Sequence, residues 1–140
     1  MKKYFIVFGL LFLFNSCNKN TVVVNNPYLP NYSFSVNVDL SLPSNSNLQF
    51  AGNGVKIVGQ GAGIRGLFVF NTGSGYTAFD MACPNQNLGA CSTMTLSGMN
   101  AVCPCDSKLY SLYTGLCAGM TYPLKAYRIE TNGTVLRVYN

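Results

Sequence analysis

From residue 32 to residue 42 apolar and polar side chains alternate without a break. Tyr32, Phe34, Val36, Val38, Leu40 and Leu42 fall on one side, and Ser33, Ser35, Asn37, Asp39 and Ser41 on the other. A period of two sustained this long predicts a strand with one buried face, and Pro43 predicts its end. Shorter β-rich runs follow at 55–58, 67–70, 76–79, 93–96 and 101–102, separated by Gly, Ser and Asn. The last two, 124–130 and 134–139, are joined through Asn132-Gly133, a dipeptide suited to the positive φ of a tight hairpin. Beyond the first sixteen residues no stretch shows an apolar period of 3.6. The pattern predicts an all-β domain, a small antiparallel β-sandwich or barrel-like stack of many short strands.

The glycine-rich stretch 59–66 lacks the spacing and the following helix of a dinucleotide or phosphate loop, and reads as a bend between two strands.

The amino terminus has a different texture. Lys2 and Lys3 precede an apolar run over residues 4–14, too short to span a bilayer but laid out like a secretory leader. It ends in Phe14-Asn15-Ser16-Cys17, which resembles a bacterial lipobox. The expected organisation is a lipoprotein signal peptide over 1–16, a lipid-anchored tether over 17–31 with Cys17 acylated, and a domain over 32–140. The Asn- and Pro-bearing composition of 18–31 suits a tether, and Val22-Val23-Val24 within it could dock as an edge strand. This organisation implies a protein of the cell envelope, held to a membrane through its amino-terminal lipid.

Charge narrows the field further. Only 9% of residues are charged, and the formal net charge is +5. Without Lys2 and Lys3, seven basic side chains oppose four acidic ones, a net charge of +3, and the seven are scattered. No basic stripe is present, so nucleic acid is not an expected partner. The chain contains no histidine, which removes Ser-His and Cys-His nucleophile activation. The four carboxylates, Asp39, Asp80, Asp106 and Glu130, form no acid–base pair by spacing. The expectation is a protein that is not an enzyme.

The remaining chemistry lies in cysteine. Cys83-Pro84-Asn85 opens a first box, with Cys91 further along it. Cys103-Pro104-Cys105-Asp106-Ser107-Lys108-Leu109-Tyr110 forms the second. The layout resembles the cluster-binding loops of the Rieske [2Fe–2S] family, which read C-x-H and C-P-C-H-G-S-x-F. The likeness continues through Gly75-Tyr76-Thr77-Ala78-Phe79-Asp80, through Tyr110-Ser111-Leu112-Tyr113-Thr114-Gly115 and through Pro123-Leu124-Lys125-Ala126-Tyr127.

The resemblance implies a Rieske-type sandwich with both boxes at the tips of neighbouring loops. It sets Cys83 and Cys103 at the thiolate ligand positions, and Asn85 and Asp106 where the family has histidines. It sets Cys91 and Cys105 at the positions of a loop-tying disulfide found in some members. Ser107-Lys108 stands in place of Gly-Ser.

Two states follow for the paired boxes. In one, an electron-transfer [2Fe–2S] cluster is held on Cys83 and Cys103 with an atypical second iron site. An amide oxygen at Asn85 is a poor iron donor, a carboxylate at Asp106 lowers the potential, and Cys105 offers a third sulfur. In the other, which the donor chemistry favours, there is no cofactor. In an oxidising compartment Cys83–Cys103 can then close as a disulfide, with Cys91–Cys105, the pair the resemblance implies, as a second, leaving a stapled binding or structural module. Five cysteines allow fifteen two-bridge arrangements, and the sequence does not choose among them. The partner would be an envelope or redox protein. Zinc is less suited, because no close pair of C-x₂-C type exists. Cys117, in an apolar setting, reads as a buried thiol.

Overall fold

The computed structural model describes residues 25–59 and 61–140. The leader, Cys17 and the Val22-Val23-Val24 run lie outside the described residues. Among the described residues nine strands form two antiparallel sheets. In chain order they are β1 (Ser35–Asp39), β2 (Gly54–Ile57), β3 (Leu67–Asn71), β4 (Tyr76–Asp80), β5 (Thr95–Ser97), β6 (Asn100–Val102), β7 (Leu109–Ser111), β8 (Ala126–Asn132) and β9 (Val135–Tyr139). The larger sheet has the order β1-β9-β8-β4-β3-β2, and the smaller β5-β6-β7. Among the described residues no helix is long and apolar enough to cross a membrane.

Strand β3 explains why two sheets are needed. Leu67, Phe68, Val69 and Phe70 are all buried, so the strand is covered on both faces. Leu67 and Val69 join one core, with Val38, Leu48, Val55, Ala78, Tyr127, Leu136 and Val138. Phe68 and Phe70 join the other, with Phe79, Met94, Ala101, Cys103, Tyr110 and Leu112. An unbroken apolar run, rather than alternation, is what a strand between two cores requires. The second core is the space between the large sheet and the cysteine loops.

The alternation at 32–42 is realised over a shorter length. Val38 is fully buried, and Phe34, Val36 and Leu40 pack against the first core. Tyr32 and Leu42, at the ends, are largely exposed because the strand pairs with β9 only from Ser35 to Asp39. Past Pro43 the chain makes a 3-10 helix, Pro43–Gln49, whose Leu48 plugs the first core. No apolar period announced it, because Leu48 is its one buried apolar side chain; the other buried residue, Asn45, donates its amide to the Asp39 carbonyl at 2.8 Å.

The terminal hairpin pairs Asn132 with Val135, which puts Gly133-Thr134 at its tip, one residue later than the dipeptide suggested. Gly133 takes φ 58, so the left-handed tip position falls on the residue without a Cβ.

The described part of the glycine-rich stretch, residues 59 and 61–66, lies in the connection between β2 and β3 and approaches a buried carboxylate. Asp80, fully buried at the end of β4, accepts hydrogen bonds from the backbone N–H groups of Ile64 (2.6 Å), Arg65 (3.3 Å) and Ala82 (2.7 Å), and from the Tyr127 hydroxyl (2.8 Å). A Cβ on Gly63 would sit 2.5 Å from Asp80 Oδ2, so the close approach demands glycine there. Burial, with Asp80 alongside, holds the Tyr127 phenol well above its ordinary range, so that hydroxyl remains a donor. This hub fixes the strand that leads into the first cysteine loop.

Residues 26–31 lie against the domain. The Asn26 amide donates to the Pro84 carbonyl at 2.8 Å, Leu29 is buried, and Tyr28 meets the Tyr122 ring edge-on at 6.0 Å.

Candidate functional site

Each cysteine box sits on a loop closed at its base by backbone pairing. In the first, an isolated bridge joins Ala82 to Thr93, and the Cys83 N–H donates to the Ser92 carbonyl at 2.8 Å. In the second, β6 and β7 pair Val102 with Leu109, and the Cys103 N–H donates to the Lys108 carbonyl at 3.0 Å. Strand β7 has only three residues and no clean alternation, so periodicity alone did not mark it. The hairpin is nevertheless what presents Cys103 and Cys105 together.

The two loops are joined twice. Cys83 is bonded to Cys103 (Cα–Cα 5.7 Å) and Cys91 to Cys105 (Cα–Cα 5.1 Å). The first bridge is buried, each cysteine being 1% exposed. The second reaches the surface, with Cys91 exposed and Cys105 half-buried. Cys117 is a free thiol, half-buried rather than buried, and packs against the second core.

The other residues of the resemblance fare differently. Asn85 reaches inward. Its Nδ2 donates to the Tyr110 hydroxyl at 2.9 Å and to the Tyr122 carbonyl at 2.7 Å, and its Oδ1 accepts the Tyr122 N–H at 2.9 Å. Oxygen and nitrogen of the amide are thus both engaged within the protein. Tyr110 is 1% exposed. Burial raises its phenol above the ordinary range, only partly opposed by the Asn85 bond, so the hydroxyl stays neutral and accepts the amide. Asp106 points to water, and its Oδ1 accepts the Lys108 N–H at 3.0 Å in a local turn.

Ser107, where the resembled motif has glycine, takes φ 58, the only positive φ outside glycine among the described residues. Its N–H donates to the Cys103 carbonyl at 2.8 Å. The loop therefore keeps a left-handed turn at a position occupied by a residue with a Cβ.

Two contributors to this site carried no mark in the sequence. Gln86 donates its amide to Cys103 Sγ at 3.0 Å, and the Tyr122 backbone grips Asn85. Both follow from how the loops fold over each other, and no spacing rule announces them.

A Rieske-type cluster makes definite demands on its donors. The Sγ atoms of Cys83, Cys103 and Cys105 lie within 4.8 Å of one another, the sole grouping of three metal-ligating side chains among the described residues. A binuclear cluster takes four ligands, and the family supplies two of them as imidazole. Here Cys83 and Cys103 are bonded to each other, the Asn85 amide is consumed by tyrosines, and Asp106 is turned outward. These residues do not fit the group.

No family model matches the sequence, and no curated protein matches it. Solved structures do resemble it. A chain of the complex of reduced oxygenase and oxidized ferredoxin in carbazole 1,9a-dioxygenase superposes with a TM-score of 0.52 at 21% identity, over 77% of this chain and 94% of that one. The ferredoxin of carbazole 1,9a-dioxygenase from Nocardioides aromaticivorans IC177 gives a TM-score of 0.49 at 17% identity, over 76% and 97%. The Sphingomonas yanoikuyae B1 ferredoxin gives 0.45 at 17% identity, over 65% and 88%. The first of these likenesses bears on the fold. The chain has the all-β, antiparallel fold of Rieske-type ferredoxins.

Proposed function

We propose that this protein is a Rieske-type domain without a cluster, in which two disulfides staple the loops that would hold one. It serves as a binding or structural module at an envelope membrane, tethered by a lipid on Cys17, and is not an enzyme. The observation that carries the reading is the engagement of Asn85. A residue at a ligand position whose amide is bonded three times within the protein has become part of the packing. Each bridge, closing a sequence separation of 20 or 14, stabilises by about 2–4 kcal/mol, chiefly by restricting the unfolded chain. Such an amount is a sizeable share of a small domain's stability. The lipid anchor rests on the leader pattern and on the Cys at its end.

A second reading is favoured by the fold itself. The first structural neighbour is a chain of an oxygenase–ferredoxin complex, and three sulfurs converge at one point. An electron-transfer [2Fe–2S] protein with Cys83, Cys103 and Cys105 as donors would use both features.

Reconstitution with iron and sulfide under reducing conditions separates the two. The stapled module stays colourless afterwards. Untreated, it has a non-reduced mass lower by four hydrogens than the fully reduced chain. Visible absorption with stoichiometric iron and acid-labile sulfide would establish the electron carrier instead.

A further inference from the structure

The two bridges meet at one point. Cys105 Sγ, a partner in the outer bridge, lies within 4.8 Å of both sulfurs of the inner one. Access is graded, since Cys91 is exposed, Cys105 half-buried, and Cys83 and Cys103 buried. A thiol arriving from solution meets the outer bridge first, at Cys91. One sulfur of the inner bridge, Cys103 Sγ, already receives a hydrogen bond from the Gln86 amide at 3.0 Å. Such a bond is considerably stronger to a thiolate than to a neutral sulfur, so it favours Cys103 as the sulfur that departs.

We propose that the paired bridges form a thiol–disulfide relay. A dithiol that opens Cys91–Cys105 at the surface sets Cys105 to open Cys83–Cys103 in the core, so the domain exchanges disulfides with an external protein or small-molecule dithiol. This rests on the doubly bridged reading above.

The chemistry balances in two stages. In the first, one thiolate of the external dithiol attacks Cys91 Sγ. The Cys91–Cys105 bond breaks and its electron pair leaves on Cys105. The second thiolate of the reagent then attacks the reagent's own sulfur in the mixed disulfide, releasing Cys91 as a thiolate. Two electrons have passed to the protein, and the external dithiol leaves as a disulfide. In the second stage the Cys105 thiolate attacks Cys83 Sγ. The Cys83–Cys105 bond forms, the Cys83–Cys103 bond breaks, and the pair departs on Cys103 beside the Gln86 N–H. No net oxidation occurs in this stage, which moves the bridge from Cys103 to Cys105.

The test uses the full chain with one equivalent of dithiothreitol, acid quenching at intervals, alkylation, and residue-level peptide mapping. The relay predicts early label on Cys91 and Cys105, then label on Cys103 with a cross-linked Cys83–Cys105 peptide. Label confined to Cys91, Cys105 and the free Cys117, with the Cys83–Cys103 peptide intact throughout, overturns it. Cys91→Ser gives a second route, because Cys105 is then a thiol without any reductant. A Cys83–Cys105 peptide in that variant supports the relay, and its absence contradicts it.

Gln86→Ala should leave labelling of Cys91 unchanged while slowing the appearance of label on Cys103 roughly tenfold, the loss of one charge-assisted bond to the leaving sulfur. An unchanged rate removes Gln86 from the relay. Untreated protein that carries iron and sulfide, or that yields no Cys83–Cys103 peptide, overturns the doubly bridged reading and the relay together. Relay failure alone shows both bridges present and no transfer between them.

Discussion

The two cysteine loops start from equivalent positions and end in different physical states. In the first, Asn85 turns inward and is held by Tyr110 and Tyr122. In the second, Asp106 turns outward and does no more than cap its own turn. A neutral amide satisfies buried donors and acceptors at no charge cost, whereas a carboxylate needs water or a partner. The contrast therefore follows from side-chain chemistry. Asn85 has joined the packing, Asp106 lies at the surface, and the buried Cys83–Cys103 bond ties the two loops.

The largest expected effect comes from cutting that tie. Replacing Cys83 and Cys103 together by Ser should cost about 3 kcal/mol in denaturant unfolding, as expected for a loop of this length. An unchanged midpoint would mean that the bridge does not stabilise the fold. Next comes the inward loop. Asn85→Ala strands the buried Tyr110 hydroxyl and two backbone groups of Tyr122, and should cost about 2 kcal/mol.

Asp106→Ala should stay within about 0.5 kcal/mol, as an exposed substitution does. Equal effects of these two substitutions would erase the difference between the loops. Smallest is Ser107→Gly. It relieves a left-handed φ of 58 at the price of unfolded-state freedom, for a net gain of about 0.5 kcal/mol. A clear loss of stability there would show that the Ser107 side chain contributes more than its backbone strain costs.

How much of this could be read from the chain depends on the range of the interaction. Alternation at 34–40 and the apolar run 67–70 reflect burial of neighbouring residues, so the strands were legible. The ends of the first strand were not, because pairing with β9, far along the chain, decides where it stops. Strand β7 was too short to show a period, and the 3-10 helix buries only two side chains, Asn45 and Leu48. The motif resemblance led to the cysteine boxes and to the Rieske-type fold. It gave no hint of Gln86 against Cys103, of Tyr122 against Asn85, or of the glycine-rich loop on Asp80. These contacts bridge 17, 37 and up to 16 residues of sequence respectively and exist only after the loops have closed.

The most direct examination of the central claim is peptide mapping of protein isolated from its native source, alkylated without reduction and assayed in parallel for iron. A cross-linked Cys83–Cys103 peptide, a cross-linked Cys91–Cys105 peptide and no iron are the predicted result. Alkylated Cys83 and Cys103 in material holding two iron atoms per chain, the content of one [2Fe–2S] centre, would contradict it.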